Sequence, residues 1–419
     1  MSPPTDPAPP PPHVAAAAAE AADRYGTPCY LTELGELDRR AGELRSAFPE
    51  PWIALYSLKA NPLPAVVGRL AQAGLGANVV SRGEWDAARS AGVANSQITL
   101  EGIGKRDSDL RDAVGAAAAG VPLRWLTIES SDEARALLGM AAGAGLGGGT
   151  PLDVLLRLNP GVDPDTHAGL RVGAAESKFG MAERELRELA LEIAQASAGV
   201  RLRGVHVHVG SQLQGVAAWA VAAERACRLV AELAGPSLEI DTVDLGGGFP
   251  SASPSAPTPA RFREALDAAL LGARTPLPAR VAVEPGRYLV ATSGWLVARV
   301  LHVRDRAGTA QVVIDASFAE LVRPALYGAR HPVLAVPSTS APGSRRPTQV
   351  EGSLCESTDS FGTHVLPPLR RGDLVVLEGT GAYASSMFSC YNGRVQPPEA
   401  ILHPDGTVQL ARESRPFLP

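Results

Sequence analysis

The stretch "WIALYSLKANPLPAVVGRLAQAGLGANVVS" (residues 52–81) contains the unit whose repetition decides the fold. A short apolar run, "WIALYS" (52–57), reads as a buried strand, and a second, "ANVVS" (77–81), follows after a helical stretch. Lys59 stands just past the first strand, ahead of an Asn-Pro turn. Lysine is seldom buried unless it is paired or used. Taken alone, Lys59 reads as a solvated residue at a strand end, and only the rest of the chain changes that reading.

The alternation continues. Further strands are expected at "QITL" (97–100), "RWLTIE" (124–129), "DVLLRLN" (153–159), "GVHVHVG" (204–210), "DTVDL" (241–245) and "VAVE" (281–284). Between them lie segments such as "AERELRELALEIAQA" with apolar residues three and four apart, the spacing of a helix with one buried face. Eight strands alternating with helices predict an α/β fold built on a (β/α)8 TIM-type barrel, with a doubly wound open sheet as the competing arrangement. After Glu284 the helical periodicity fades. Runs such as "GWLVARVLHVRD", "AQVVIDA", "HPVLAV" and "DLVVLEG" predict a second, all-β C-terminal domain. The expected organisation is a disordered Pro-rich tail and short alanine helix over 1–27, the barrel over 49–288 and the β domain over 289–419. A strand over 28–48 joins the two and pairs back with the β domain. "PSTSAPGSRRP" (337–347) reads as an exposed loop.

The 419 residues carry a formal net charge of -5 and are 45% hydrophobic and 20% charged. This mild acidity, without a basic stripe, argues against nucleic acid as a partner. No apolar run approaches the roughly eighteen residues of a membrane span. The N-terminus lacks the charged-then-apolar pattern of a signal peptide. Cys29, Cys227, Cys355 and Cys390 are scattered without metal-ligand spacing, so reduced thiols, a cytoplasmic location and no metal are expected.

Barrel enzymes place their chemistry at the C-terminal ends of the strands. Here Lys59 follows strand one, Asn78 and Ser81 lie in or end strand two, and Arg157 is near the end of strand five. His206 and His208 lie on strand six, "GSQ" (210–212) follows it, "GGGF" (246–249) follows strand seven, and Glu284 closes strand eight. Singly, each has a plain structural reading: the histidines as core residues or metal ligands, the glycines as a tight turn, Glu284 as a turn cap. Together they carry one chemistry. A glycine-rich loop after strand seven offers backbone N–H groups to a phosphate. A desolvated lysine can form a Schiff base with an aldehyde. A carboxylate facing a pyridine nitrogen keeps that nitrogen protonated, and an imidazole can stack on the ring. Lysine, phosphate cradle and carboxylate point to pyridoxal 5′-phosphate. A sugar-phosphate aldolase with a Schiff-base lysine competes, but it needs neither Glu284 nor a β domain.

The motifs "YSLKANP", "GLGANVVSRGE", "NPGVDPDTHAGLRVGAAESKFGM", "GVHVHVGSQL", "VDLGGGFP", "EPGRYLV", "RPALYGARH", "CESTDSFG" and "GAYASSMFSCYN" span nearly all of residues 28–402. In that order they resemble the barrel-type (fold type III) pyridoxal-phosphate-dependent decarboxylases of amino acids, most closely the diaminopimelate decarboxylases. The resemblance implies that Lys59 carries the cofactor, His208 stacks on its ring and Glu284 faces its pyridine nitrogen. It makes Asn78 and Arg157 cofactor neighbours, and Ser211, Gly247, Gly248 and Tyr383 phosphate contacts. Arg287, Arg323 and Tyr327 match positions that hold the far end of the substrate, with Tyr383 beside them. Cys355 and Glu356 resemble a pair that enters the site from the partner subunit of a homodimer, the cysteine as proton donor and the glutamate as reader of the distal ammonium.

Three positions depart from the family pattern. Asn78 stands where aspartate is usual, so a negative charge beside Lys59 is expected to be missing. "EGIGKRD" (101–107) replaces an Asn-Asn-Lys form, and Cys390 stands where asparagine is common. The resemblance implies α-decarboxylation of a diamino acid, with meso-diaminopimelate to L-lysine as the leading substrate and product. A related decarboxylase of ornithine, a carrier-bound amino acid or a siderophore intermediate is the alternative. A non-catalytic regulatory homologue stands further off, and a racemase further still.

Overall fold

A computed structural model describes residues 9–196, 199–235, 238–306, 308–337 and 343–415 of the chain. They divide into two compact units, one over Arg40–Tyr288 and the other made from the segments Met1–Arg39 and Leu289–Pro419.

The Arg40–Tyr288 unit is a closed barrel of eight parallel strands. The strands are Ile53–Ser57, Gly76–Val79, Ile98–Leu100, Trp125–Ile128, Leu152–Leu158, Val200–Val207, Thr242–Asp244 and Arg280–Val283. Each pairs with the next, and the eighth returns to the first through Ile53 with Ala282 and Ala54 with Val283. Closure excludes the open-sheet alternative. Strands covered on both faces read as near-continuous apolar runs, and Leu152–Leu158 is buried at every position but Asp153. The helices between strands bury one stripe each, as in Glu183–Gln195, where Leu186, Leu189, Ala190 and Ile193 face inward. Two of them start with the same device. Ser81 Oγ accepts from the Glu84 N–H at 3.3 Å and Ser130 Oγ from the Glu133 N–H at 3.2 Å. In return, the Glu84 and Glu133 carboxylates accept from the Val80 and Glu129 N–H groups. Helix N-terminal donors that would otherwise be orphaned are thereby satisfied just past strands two and four.

The other unit centres on the thirteen-residue strand Gly294–Arg306. Its first half pairs antiparallel with Cys29–Glu33 and with Leu374–Glu378, and its second half, past an irregularity between Val300 and His302, pairs with Thr309–Ile314. Arg346–Glu351 and Ser360–Leu366 extend one side, Glu399–Leu402 and Val408–Arg412 the other. Helix Pro12–Tyr25 lays Val14, Ala17, Ala18, Ala21 and Ala22 against this sheet, in one cluster with Leu31, Trp295 and Val376. Proline at its first position needs no N–H there, and alanine has the highest helix propensity.

The expected pairing of the early strand with the C-terminal sheet is present, but that strand is only Cys29–Glu33. The rest of the segment read as a joining strand is helix Leu34–Ala47, with Leu37, Ala41 and Leu44 fully buried at helical spacing. The β unit also carries the five-residue helix Arg323–Tyr327. Residues 1–8 of the proline-rich tail and 338–342 of the "PSTSAPGSRRP" loop lie outside the described residues.

Strands six and seven meet closely at one point. A Cβ on Gly204 would lie 1.7 Å from the Thr242 carbonyl oxygen, whereas one on Gly139, in helix Ser131–Gly143, would meet nothing within 4 Å. Gly204→Ala is expected to destabilise the protein by about 3 kcal/mol or to prevent folding. Gly139→Ala should stabilise it by about 0.5–1 kcal/mol. Thermal melts of the two variants check the pair; equal melting temperatures would contradict this account of the barrel wall.

Candidate active site

Barrel closure gathers the strand ends. Lys59 sits in the single 3-10 turn Leu58–Ala60 that ends strand one, and Asn78 lies inside strand two. Glu101 follows strand three, Arg157 is in strand five, His206 is in strand six and His208 just beyond it. Gly246–Gly248 follow strand seven, and Glu284 follows strand eight.

A chain of polar contacts links several of these residues. Lys59 Nζ lies 3.5 Å from Glu101 Oε1, and Glu101 Oε2 lies 3.2 Å from His206 Nε2. The same nitrogen is 3.4 Å from Glu284 Oε2, and the Asn78 amide donates to Glu284 Oε1. Asn78, Glu101, His206 and Glu284 are all buried. Burial alone would raise the Glu101 carboxyl, but the charges of Lys59, His206 and Arg157 outweigh it and hold that carboxyl well below the usual range. Asp244 behaves oppositely. Its burial, and then the Glu284 charge, push its carboxyl far above the ordinary value, against one hydrogen bond from the Gly246 N–H. The negative charge expected to be missing beside Lys59 is therefore present: Glu101 supplies it from the next strand. The ligand atoms of Glu101, His206 and Glu284 lie within 4.8 Å of one another, a spacing that could also suit a cation. The Lys59 ammonium and the Asn78 amide already bring positive and donor groups to these carboxylates.

The two histidines meet different partners. His206 is fully buried, while half-buried His208 accepts the Gly247 N–H at its Nδ1, 3.0 Å away. Desolvation, followed by the Lys59 and Arg157 charges, pushes the His208 pKa well below its ordinary value, so the ring stays neutral with its proton on Nε2. The Arg157 guanidinium donates to Glu129 Oε1 at 2.6 Å and covers the Phe179 ring, and Glu129 Oε2 accepts the Gly180 N–H. Ser211 Oγ accepts from Arg287 Nε at 3.3 Å and Nη2 at 3.1 Å. The glycine loop is less bare than expected. Asp244 takes the Gly246 N–H and His208 the Gly247 N–H, while the Gly248 N–H has no partner among the described residues.

The chain has three lysines. Lys105, the nearest rival to Lys59, is 1% exposed and tied to Glu133 at 2.9 Å. Lys178 lies exposed over the Phe179 ring. Only Lys59 stands on the strand-end rim with its amine partly open.

The remaining expected residues belong to the β unit. Cys355 and Glu356 are exposed on a loop that Asp359 pins: its carboxylate accepts the Phe318 N–H at 2.7 Å and the Leu354 N–H at 2.8 Å. Tyr391 stacks on Phe318 and donates its hydroxyl to Glu356 Oε1 at 2.6 Å. Arg323 Nη1 meets His331 Nε2 at 2.9 Å, and His331 Nδ1 meets the Glu378 carbonyl. Arg323 and Tyr327 flank one short helix, half-buried. Tyr383 has φ +58°, a left-handed backbone rare for a bulky side chain and common where function imposes strain. Glu101, Asp359 and Tyr391 were not singled out by sequence. Glu101 follows a strand at its C-terminal end, the same signal that marked Lys59 and Glu284.

These residues suit pyridoxal phosphate. Asn78 Oδ1 and His206 Nδ1 are buried polar atoms without a partner among the described residues. At Gly246 and Gly247 a Cβ would come within 2.5 Å of the Val207 oxygen and 2.7 Å of the Glu284 oxygen, so only bare backbone fits there. An amine, a neutral imidazole, a buried carboxylate and a glycine loop thus converge on one barrel mouth.

Known proteins agree with this assembly. Residues 34–291 match the pyridoxal-binding domain of pyridoxal-dependent decarboxylases. The diaminopimelate decarboxylase of Actinosynnema pretiosum subsp. auranticum is 36% identical over 392 residues, which cover 90% of this chain and 84% of that protein. The diaminopimelate decarboxylase of Zymomonas mobilis subsp. mobilis is 32% identical, covering 91% and 89%. The crystal structure of diaminopimelate decarboxylase from Helicobacter pylori complexed with L-lysine superposes with a TM-score of 0.85 at 30% identity, covering 95% of this chain and 96% of that one. By its barrel, its β unit and the sequence that runs through both, the chain belongs to the pyridoxal-dependent decarboxylase family.

Proposed function

We propose that this chain is a cytoplasmic α-decarboxylase that uses pyridoxal 5′-phosphate to convert meso-diaminopimelate to L-lysine and CO2. The observation that carries the reading is the rim on which Lys59 and Glu284 belong to one buried polar chain. Support for the substrate comes from relatives named diaminopimelate decarboxylase and from the solved relative complexed with L-lysine.

When bound, pyridoxal phosphate supplies an electron sink for the pair left behind as CO2 departs. Lys59 would hold the cofactor through its Nζ and would take up or release a proton there. Glu284, held by the Asn78 amide and His206, keeps a proton on the ring nitrogen. Neutral His208, oriented by the Gly247 N–H, would stack on the ring, and Arg157, steadied by Glu129, would line the pocket. Ser211, Gly247, Gly248 and Tyr383 hold the phosphate. Arg287, Arg323 and Tyr327, with Tyr383 beside them, hold the far end of the substrate. In a homodimer, Glu356 of the partner subunit reads the distal ammonium. The bond from the α-carbon to its carboxylate breaks, CO2 leaves, and Cys355 of the partner subunit or Lys59 returns a proton to that carbon.

A CO2-release assay over a panel of amino acids tests the reaction. Turnover with meso-diaminopimelate should exceed that with ornithine or lysine by at least about 100-fold, since a site built to pair the far amino-acid end rejects analogues that lack part of it. Preference for another panel member would overturn the substrate, and no release from any would overturn the activity.

The shared site is tested by mixing inactive Lys59→Ala and Cys355→Ala chains. Random exchange puts one intact lysine and one intact cysteine in about a quarter of all sites, so about a quarter of the original activity should return. A mixture as inactive as its parents, with exchange demonstrated, would mean that each chain completes its own site.

A further inference from the structure

Glu101 occupies the middle of the chain that runs from Lys59 to Glu284. Its side chain is 5% exposed, that of His206 0% and that of Glu284 3%, against 39% for Lys59. Water therefore screens the three inner groups little. His206 Nδ1 has no partner among the described residues. His206 Nε2 meets Glu284 Oε2 at 3.4 Å in hydrogen-bond geometry and lies 3.2 Å from Glu101 Oε2, which has no hydrogen-bond partner among the described residues. Burial pushes the Asp244 carboxyl far above its ordinary value, towards its neutral form, and Arg157 is paired with Glu129. The negative charge left on the two carboxylates is met by the Lys59 ammonium on one side and the Asn78 amide on the other.

We infer that Glu101 is a positioning residue of this site: its carboxylate anchors the Lys59 amine from beside His206, the ring that meets Glu284. The inference rests on the reading of Lys59 as the cofactor lysine and adds the group that sets that amine's position and charge.

Lysine labelling of the full-length protein, stripped of cofactor, provides the test. With acetic anhydride near neutral pH, Lys59 acetylation is measured by mass spectrometry against exposed Lys178, with buried Lys105 as the protected control. Glu101→Gln removes the counter-charge, so the Lys59 to Lys178 ratio should rise about tenfold, the factor that accompanies one unit of lost preference for the ammonium form. Glu101→Asp keeps the charge but draws it back by one methylene, and the ratio should rise about two- to threefold. A purely structural glutamate would lower the melting temperature in both variants and leave both ratios unchanged, which would overturn the inference. If Glu101→Gln does not fold, Glu101→Asp decides alone, and an unchanged ratio there overturns it. Identification of the cofactor-bearing lysine in the unsubstituted protein separates failure of the Lys59 reading from failure of this one.

Discussion

The pairing of the eighth barrel strand with the first, Ile53 with Ala282 and Ala54 with Val283, is the constraint on which the rest of the site depends. Until that seam closes, Lys59 and Glu284 are separated by 225 residues of chain. Once it closes, the strand ends share one rim, and Ser57 Oγ donates to the Glu284 carbonyl across the seam at 3.0 Å. Parallel pairing of strands far apart in sequence carries a loop-closure cost, so the interior must offset it with near-complete apolar burial. Leu55, Trp125, Leu155 and Ala282 form one of the clusters that does so.

On that rim, charge balance governs the chemistry. Burying two carboxylates is costly unless cations and donors meet them. The barrel provides a lysine, an imidazole and an amide, and burial pushes the Asp244 carboxyl towards its neutral form. Polar atoms such as Asn78 Oδ1 remain without a partner among the described residues. Other pieces are held by neighbours with no chemistry of their own. Asp359 shapes the loop of Cys355 and Glu356, and Tyr391 steadies Glu356.

The barrel was legible because each strand is a short apolar run followed by a helical stripe, and the eight runs at 52–57, 77–81, 97–100, 124–129, 153–159, 204–210, 241–245 and 281–284 all contain or overlap an observed strand. Helix Leu34–Ala47 was read as strand because its sequence, "LGELDRRAGELRSA", is mostly polar and its buried stripe is narrow. The places of Lys59, His208 and Glu284 at the strand ends were legible from the strand pattern. Glu101 was not. The loss of aspartate at position 78 drew attention to an absent charge, whereas the replacement lies on a neighbouring strand, 23 residues on. A side chain that compensates across a sheet is adjacent only in space.

The central claim is that the fold presents one lysine, Lys59, to pyridoxal phosphate. Borohydride reduction of the cofactor-loaded protein, followed by peptide mapping, tests it most directly, because the chain has only three lysines to distinguish. The account predicts the phosphopyridoxyl mass on the peptide that contains Lys59 and on no other. The mass on Lys105 or Lys178, or on no lysine at all, would contradict it.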